Sequence, residues 1–332
     1  MLNSLRCDQR QSPHNFLVSR YYVEVGLYIA GINGMVGSAV SKLAKHRNFP
    51  VHGKSSKDLD LRNRSLVFDE MRRTRPDILL ISAAKVGGIK ENMNFPVDFL
   101  TSNLQIQTNL LDAAHEVGVN RVLFMGSSCI YPKHSKQPIK EESLLTGPLE
   151  PTNSAYAIAK IAGIKLVESY REQYGHDWIS IMPTNLFGPG DNFDSESAHV
   201  LPALLSKFHK AKQAGLPKVT LWGDGSALRE FLYVDDLAEA TMLLFENYSD
   251  SSPINVGSGE EISIKSLAKM VSSIVGFTGE IEFGENSLNG TPRKLLDSSK
   301  ILEYGWSART PLSQGIEQTY EWFINKLDES SK

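Results

Sequence analysis

Two cysteines among 332 residues, Cys7 and Cys129, cannot build a disulfide framework, and so low a count suits a reducing compartment. No apolar run approaches the ~18 residues that a membrane-spanning helix needs. There is no basic excess either. Lys and Arg number 35 against 38 Asp and Glu, and a net charge of −3 leaves no bulk positive surface for nucleic acid. The first 22 residues are polar and lack the apolar centre of a secretory signal. These absences predict a cytoplasmic protein with neither a membrane nor a nucleic-acid partner, and no metal site is expected. Residues 1–23 read as a disordered extension. A small polyanion stays compatible with the charge total, because a few local Lys and Arg can hold it.

What is present is an alternation of short apolar runs with amphipathic stretches, the pattern of a parallel sheet with crossover helices. Strands are predicted at 26–31, 49–52, 77–84, 121–128 and 178–185. Helices are predicted at 35–46, 62–74, 97–117 and from Asn153 or Ser154, as cap, to about 174. The cluster Gly188-Pro189-Gly190 ends that rhythm. A helix near 200–214, a strand at 218–223, a return element at 231–245, a strand at 254–259, a helix at 263–275 and a last helix at 311–327 follow. The fold class is therefore α/β: a Rossmann-type, doubly wound parallel sheet with a smaller C-terminal α/β substrate lobe. Residues 24–185 form the dinucleotide domain with a return element at about 228–250, and 186–227 with 251–330 form the substrate lobe.

Gly31-Ile-Asn33-Gly34-Met35-Val36-Gly37 follows a strand and opens a helix, the setting that a dinucleotide fingerprint requires. Its glycines permit a tight turn and close backbone approach to a pyrophosphate, which the helix N-terminus then attracts. NAD enzymes usually carry an acid about 20 residues further on, at the ribose hydroxyls. Here His52-Gly-Lys54-Ser-Ser56-Lys57 holds none, and Lys54 can accept a 2′-phosphate, which favours NADP(H).

Tyr156 and Lys160 stand four apart on one helix and so share a face. A phenol is a weak acid–base at neutral pH, and a nearby ammonium favours its ionised form. Ser127, at the end of the 121–128 strand, falls at the crevice where ligands of such sheets bind. The three make a Ser-Tyr-Lys proton-relay site.

With these residues in view, the chain from 25 to about 328 resembles the GDP-L-fucose synthase family, extended short-chain dehydrogenase/reductases that act as 3,5-epimerase and 4-reductase. The resemblance rests on GMVGSAV (34–40), AAKVGGI (83–89), GSSCIYPK (126–133), LEPTNSAYAIAKIAGIKL (149–166), MPTNLFGP (182–189), REF (229–231), VDD (234–236) and GTPRKLLD (290–297). It implies a GDP-sugar substrate, NADPH and a homodimer joined through the 97–117 and 154–174 helices, with Ile158, Ile161, Ile164 and Leu166 on the apolar stripe. It also implies epimerising acid–base roles for Cys129 and His199, since protons must leave and return beside a ketone. Met125, Gly126, Ser127 and Ser128, with Pro183, Thr184, Asn185, Leu186 and His199, would wall the nicotinamide site. Trp222 would stack on guanine, while Arg229, Lys207 and Lys294, with Arg293, would hold anionic groups. Two departures bear on the cofactor: Asn33 and Ser56 stand where the family carries arginine. A 4,6-dehydratase on this fold would show Asp-Glu where Cys129-Ile130 stands; a plain 4-epimerase would leave Cys129 and His199 without a task. A non-catalytic NADP-binding protein usually loses the Tyr or Lys that this chain keeps.

Overall fold

A computed structural model describes residues 26–194, 197–284 and 291–330. The expected extension at 1–23 lies outside them. Leu27–Ala30 forms β1, in which Leu27 and Ile29 face one layer of helices while Tyr28 and Ala30 face the other. That period-two split is what a strand buried on both faces requires. Met35–His46 (α1) follows, then Val51–His52 (β2), Arg64–Thr74 (α2) and Ile78–Ile81 (β3). Ile89–Asn94 (α3) leads directly into Pro96–Val117 (α4), and Arg121–Met125 is β4.

Ser154–Tyr174 (α5) starts behind a 3₁₀ turn at Pro151–Asn153. Asn153 takes the cap position, but its side chain makes no capping bond, and Ser154 Oγ donates back to Pro151 O at 3.2 Å. The expected side-chain cap is thus replaced by the preceding turn. Ile179–Pro183 is β5, and Asn185–Phe187 forms a separate short strand, β6, where one continuous strand to 185 was expected. Thr184 breaks the run: its backbone N–H pairs with Val256 O, while the residues after it, Asn185–Phe187, turn to another sheet.

The second lobe contains Val200–Gln213 (α6), Lys218–Leu221 (β7) and Leu228–Tyr233 (β8). Val234–Asn247 (α7), Ile254–Val256 (β9), Glu261–Ser263 (β10), Ile264–Val275 (α8), Glu280–Phe283 (β11), Arg293–Lys294 (β12), Ser299–Glu303 (α9) and Leu312–Ser330 (α10) complete the chain. Six parallel strands run in the order β2-β1-β3-β4-β5-β9. Helices α1 and α7 pack together on one face, and α2, α4 and α5 on the other. Strand order reverses at β1, so the crevice beyond the carboxyl ends of β1 and β3 is the ligand position for such a sheet.

Two expected boundaries shift. Strand β8 pairs with β6, β10 and β12 in the second sheet, so of the return element only α7 rejoins the large layer. Strand β9, expected in the substrate lobe, registers Ile254 against Ile181 and closes the large sheet. Both follow from side chains: Ile254 and Val256 bury in the α1–α7 layer, whereas Phe231 and Tyr233 bury among α6, α8 and α10. The expected apolar stripe on α5 also divides. Ile161 and Ile164 are buried in the chain's own core, Leu166 packs partly against it, and Ile158 is exposed. Steps of three residues carry a row around the helix rather than along one face. Among the described residues no helix is long and apolar enough to cross a membrane, and no three His, Cys, Asp or Glu converge as metal ligands.

Candidate active site

One cavity of about 1650 Å³ opens along the carboxyl ends of the large sheet and continues between the lobes. At one end the turn after β1 is built for close approach. Gly31 has φ +93°, and a Cβ there would lie 2.8 Å from Ala83 N. A Cβ on Gly37 would lie 2.1 Å from Gly31 O, which no side chain survives. Gly34 caps α1 without any side-chain bond, so the first-turn N–H groups at Met35 and Val36 open on the cavity that both residues line. Asn33, expected among the cofactor contacts, is exposed and outside the cavity lining, because its side chain leaves the turn on the solvent side. Lys54 does line the cavity, but its ammonium is 3.0 Å from the buried carboxylate of Glu70.

The candidate reacting centre lies where β4 and β5 end. Ser127 Oγ is 2.8 Å from Cys129 Sγ, because a short 3₁₀ turn, Ser128–Ile130, folds the chain back just beyond β4. Tyr156 comes from the first turn of α5 and hydrogen-bonds with Ser127. Lys160, one turn on, is buried and donates to Met125 O at 2.7 Å, with its ammonium 5.9 Å from the Tyr156 ring centre. Burial pushes the Tyr156 phenol well above its ordinary pKa, with the nearby Cys129 adding to the shift and the Ser127 bond opposing it. Burial draws Lys160 down to about 8, with Cys129 opposing. The expected lowering of the phenol by Lys160 is therefore outweighed by the dry setting that both share.

His199 caps α6 with its backbone and presents its ring to the same cavity. Burial, and then the charge of Lys294, hold the imidazole below its ordinary pKa. Lys294, on β12, is itself lowered by burial and raised again by Cys129, so one ammonium feels both the thiol and the imidazole side. Arg229 on β8 lines the cavity beside it.

Met125, Gly126, Ser128, Pro183, Thr184, Asn185 and Leu186 all line the cavity. The Asn185 amide is already committed, donating to Glu230 O at 2.7 Å. Lys207 and Trp222 line the far arm; Lys207 donates to Thr220 O at 2.5 Å, and the Trp222 ring is 74% exposed, a bare platform. Arg293 is not brought in: it pairs with Glu261 at 2.7 Å, because neighbours on a strand point to opposite faces and Lys294 takes the inner one.

Among the lining groups that had not been singled out, three are held in particular ways. Asp191 follows the Gly188-Pro189-Gly190 turn, and its Oδ2 is enclosed with no hydrogen-bond partner. Burial raises it to about 7, against one bond from the Asn192 N–H. Glu150 is held by Lys133 at 2.9 Å. Lys85 is fixed by the buried Asn103, which accepts from its N–H at 2.8 Å and donates to its carbonyl at 3.0 Å. The available signal was a pair of amides, Asn103 and Gln107, one turn apart on the inner face of α4.

A doubly wound sheet, a glycine turn at its switch point and a buried Ser-Tyr-Lys group define a nicotinamide-dependent oxidoreductase of the extended short-chain type. The model of the NAD dependent epimerase/dehydratase family matches residues 27–257. The chain is 50% identical over 308 residues to the probable GDP-L-fucose synthase 1 of Oryza sativa subsp. japonica, covering 92% of this chain and 94% of that one. It is 45% identical to the GDP-L-fucose synthase of Escherichia coli strain K12, covering 91% and 97%. A GDP-L-fucose synthetase from Naegleria fowleri, solved bound to NADP, superposes with a TM-score of 0.84 at 31% identity, covering 92% and 96%. The chain belongs to the NAD dependent epimerase/dehydratase family, within its GDP-L-fucose synthases.

Proposed function

We propose that this enzyme converts GDP-4-keto-6-deoxy-D-mannose to GDP-L-fucose, by epimerisation at C3 and C5 and then NADPH-dependent reduction at C4. One observation supports this over a plain reductase: Cys129 and His199 line the same cavity as Ser127, Tyr156 and Lys160, although reduction alone needs neither. The glycine cradle and the first turn of α1 hold the dinucleotide pyrophosphate, and Lys160 holds the nicotinamide ribose. When bound, the nicotinamide supplies the hydride for C4.

The protein's own groups manage protons. Cys129 and His199 take and return them at the carbons flanking the ketone, and Lys294 steadies the negative charge that develops there. Tyr156 gives its proton to the C4 oxygen, which Ser127 orients. Its raised pKa favours the protonated form before reduction, as a general acid requires. Trp222 supplies a stacking face for guanine, and Arg229 with Lys207 balances the pyrophosphate of the sugar nucleotide.

The enzyme acts in the cytoplasm as a homodimer, with neither membrane nor nucleic acid as partner. Supporting the dimer, Phe95 and Val97 at the start of α4 and Ile158 on α5 are exposed. The deciding experiment follows NADPH oxidation with GDP-4-keto-6-deoxy-D-mannose and identifies the sugar. GDP-L-fucose is the expected product; a C4-reduced sugar that keeps the C3 and C5 configuration would overturn the epimerase assignment.

A further inference from the structure

At the end of β2 the cavity is lined by two cations, and each is already half of an ion pair. Lys54 Nζ lies 3.0 Å from Glu70 Oε2, and Arg62 is held in a two-pronged contact by Asp60, at 2.8 and 2.9 Å. The remaining lining there is uncharged: Ser56, Leu59 and Leu61. This is where a dinucleotide's adenosine ribose falls on such a sheet, so it is the place that tells a 2′-phosphate from a 2′-hydroxyl. Counting Arg73, which also bonds Glu70, three cations face two carboxylates, so the end of the cavity keeps a single net positive charge toward a dianion.

The two pairs differ in kind. Asp60 and Arg62 are both about half exposed, and water and salt screen them. Glu70 sits on α2 with its side chain only 4% exposed, beneath Lys54, and accepts from Arg73 at 2.8 and 3.0 Å as well. Burial alone would raise the Glu70 carboxyl, but the bonds from Arg73 and Lys54 hold it below the usual range, so it is ionised at neutral pH. A screened surface charge hardly alters a neighbour; a buried one paired with a cation that lines the cavity does.

Resting on the proposed dinucleotide site, we infer that Glu70 is a specificity-determining residue: its buried carboxylate holds the Lys54 ammonium at the ribose end and limits the preference for NADP(H) over NAD(H). Lys54 keeps two further N–H donors for a phosphate, while the carboxylate behind it repels that phosphate. Arg73, largely exposed, needs no partner to stay charged, so a neutral amide at position 70 leaves α2 intact.

The test is direct binding of NADP⁺ and NAD⁺ to the full chain, by calorimetry at fixed low salt. Glu70→Gln is expected to tighten NADP⁺ by about tenfold while leaving NAD⁺ within about twofold, since only the former carries the extra charge. Lys54→Met is expected to weaken NADP⁺ alone by a similar factor. In the Lys54→Met background, Glu70→Gln should lose most of its gain, which marks the two as one unit rather than two separate effects. Equal changes for both dinucleotides in Glu70→Gln, or unaltered NADP⁺ binding in Lys54→Met, would overturn the inference. The second variant decides even if the first folds poorly. Parent protein that binds neither dinucleotide would instead sink the cofactor site itself, and this inference with it.

Discussion

Ser127 and Cys129 meet through their side chains, Oγ to Sγ at 2.8 Å, although they flank a residue that is itself buried. The 3₁₀ turn beyond β4 is what brings them to one side. Without it, alternate residues of an extended strand would share a face but stand about 6.6 Å apart along it. The hydroxyl proposed to orient the carbonyl oxygen and the thiol proposed to work at carbon are thereby made neighbours.

Cys129→Ser and His199→Gln should separate the two halves of the chemistry. Deuterium uptake from heavy water into the sugar should slow by ~10²–10⁴-fold in each, the usual worth of a general acid–base group. NADPH affinity should barely move for Cys129→Ser, whose side chain lies beyond the dinucleotide cradle. Exchange at the parent rate in both variants would reduce the enzyme to a plain 4-ketosugar reductase.

Tyr156→Phe removes the proposed proton donor to the C4 oxygen and leaves the packing of the ring against Phe99 in place. NADPH oxidation should fall by at least ~10²-fold, while dinucleotide binding measured directly is retained. Turnover near the parent level would take Tyr156 out of the reaction.

The depressed Lys160 predicts the alkaline limb of the pH profile. Its ammonium, drawn down to about 8, is present below that pH and lost above it, so kcat for reduction should decline as pH rises through about 8. Folding stability carries the opposite sign. The unfolded Lys stays protonated up to its ordinary value near 10.5, so stability should rise with pH between about 8 and that value. A kcat profile that stays level through this range in single-turnover experiments would contradict the ribose and proton-relay role of Lys160.

Asp191 predicts a stability effect at milder pH. Its carboxyl is raised to about 7 in the fold from an ordinary value of 3.8. Between those values the unfolded chain has already released the proton, so folding becomes less favourable as pH climbs from about 4 to 7 and stays penalised above. Asp191→Asn keeps the shape and abolishes the penalty. Its melting temperature should exceed the parent's by several degrees near pH 8 and match it near pH 4. The same offset at both ends would mean that titration of Asp191 does not matter.

The parts legible along the chain were those carried by local pattern. The strand–glycine turn–helix unit showed itself because Gly37 is demanded by the backbone of Gly31 a few residues away, although the contact of Gly31 with Ala83 comes from a distant strand end. Tyr156 and Lys160 showed themselves because helical spacing places them on one face. Where the reading was incomplete, the deciding contact was distant in sequence. Lys54 was read as able to accept a phosphate, and the structure adds that Glu70 reaches it from the following helix. Arg293 and Lys294 looked alike until β12 turned one outward to Glu261 and the other inward toward Cys129. The short strands β6 and β9 left too brief a pattern to betray their sheets.

By itself, then, the sequence determined the α/β class and the dinucleotide turn and pointed to Ser127, Tyr156 and Lys160, because periodicity, turn chemistry and residue type act over a few positions; Cys129 and His199 were marked out only by the family resemblance. Tertiary structure alone decided which cations stay available, which carboxyls keep their protons and how Cys129, His199 and Lys294 share one cavity. Those properties depend on burial and on charges brought together from β4, α6 and β12, separations that no local pattern records. In a dry interior such encounters outweigh the intrinsic preference of any single side chain.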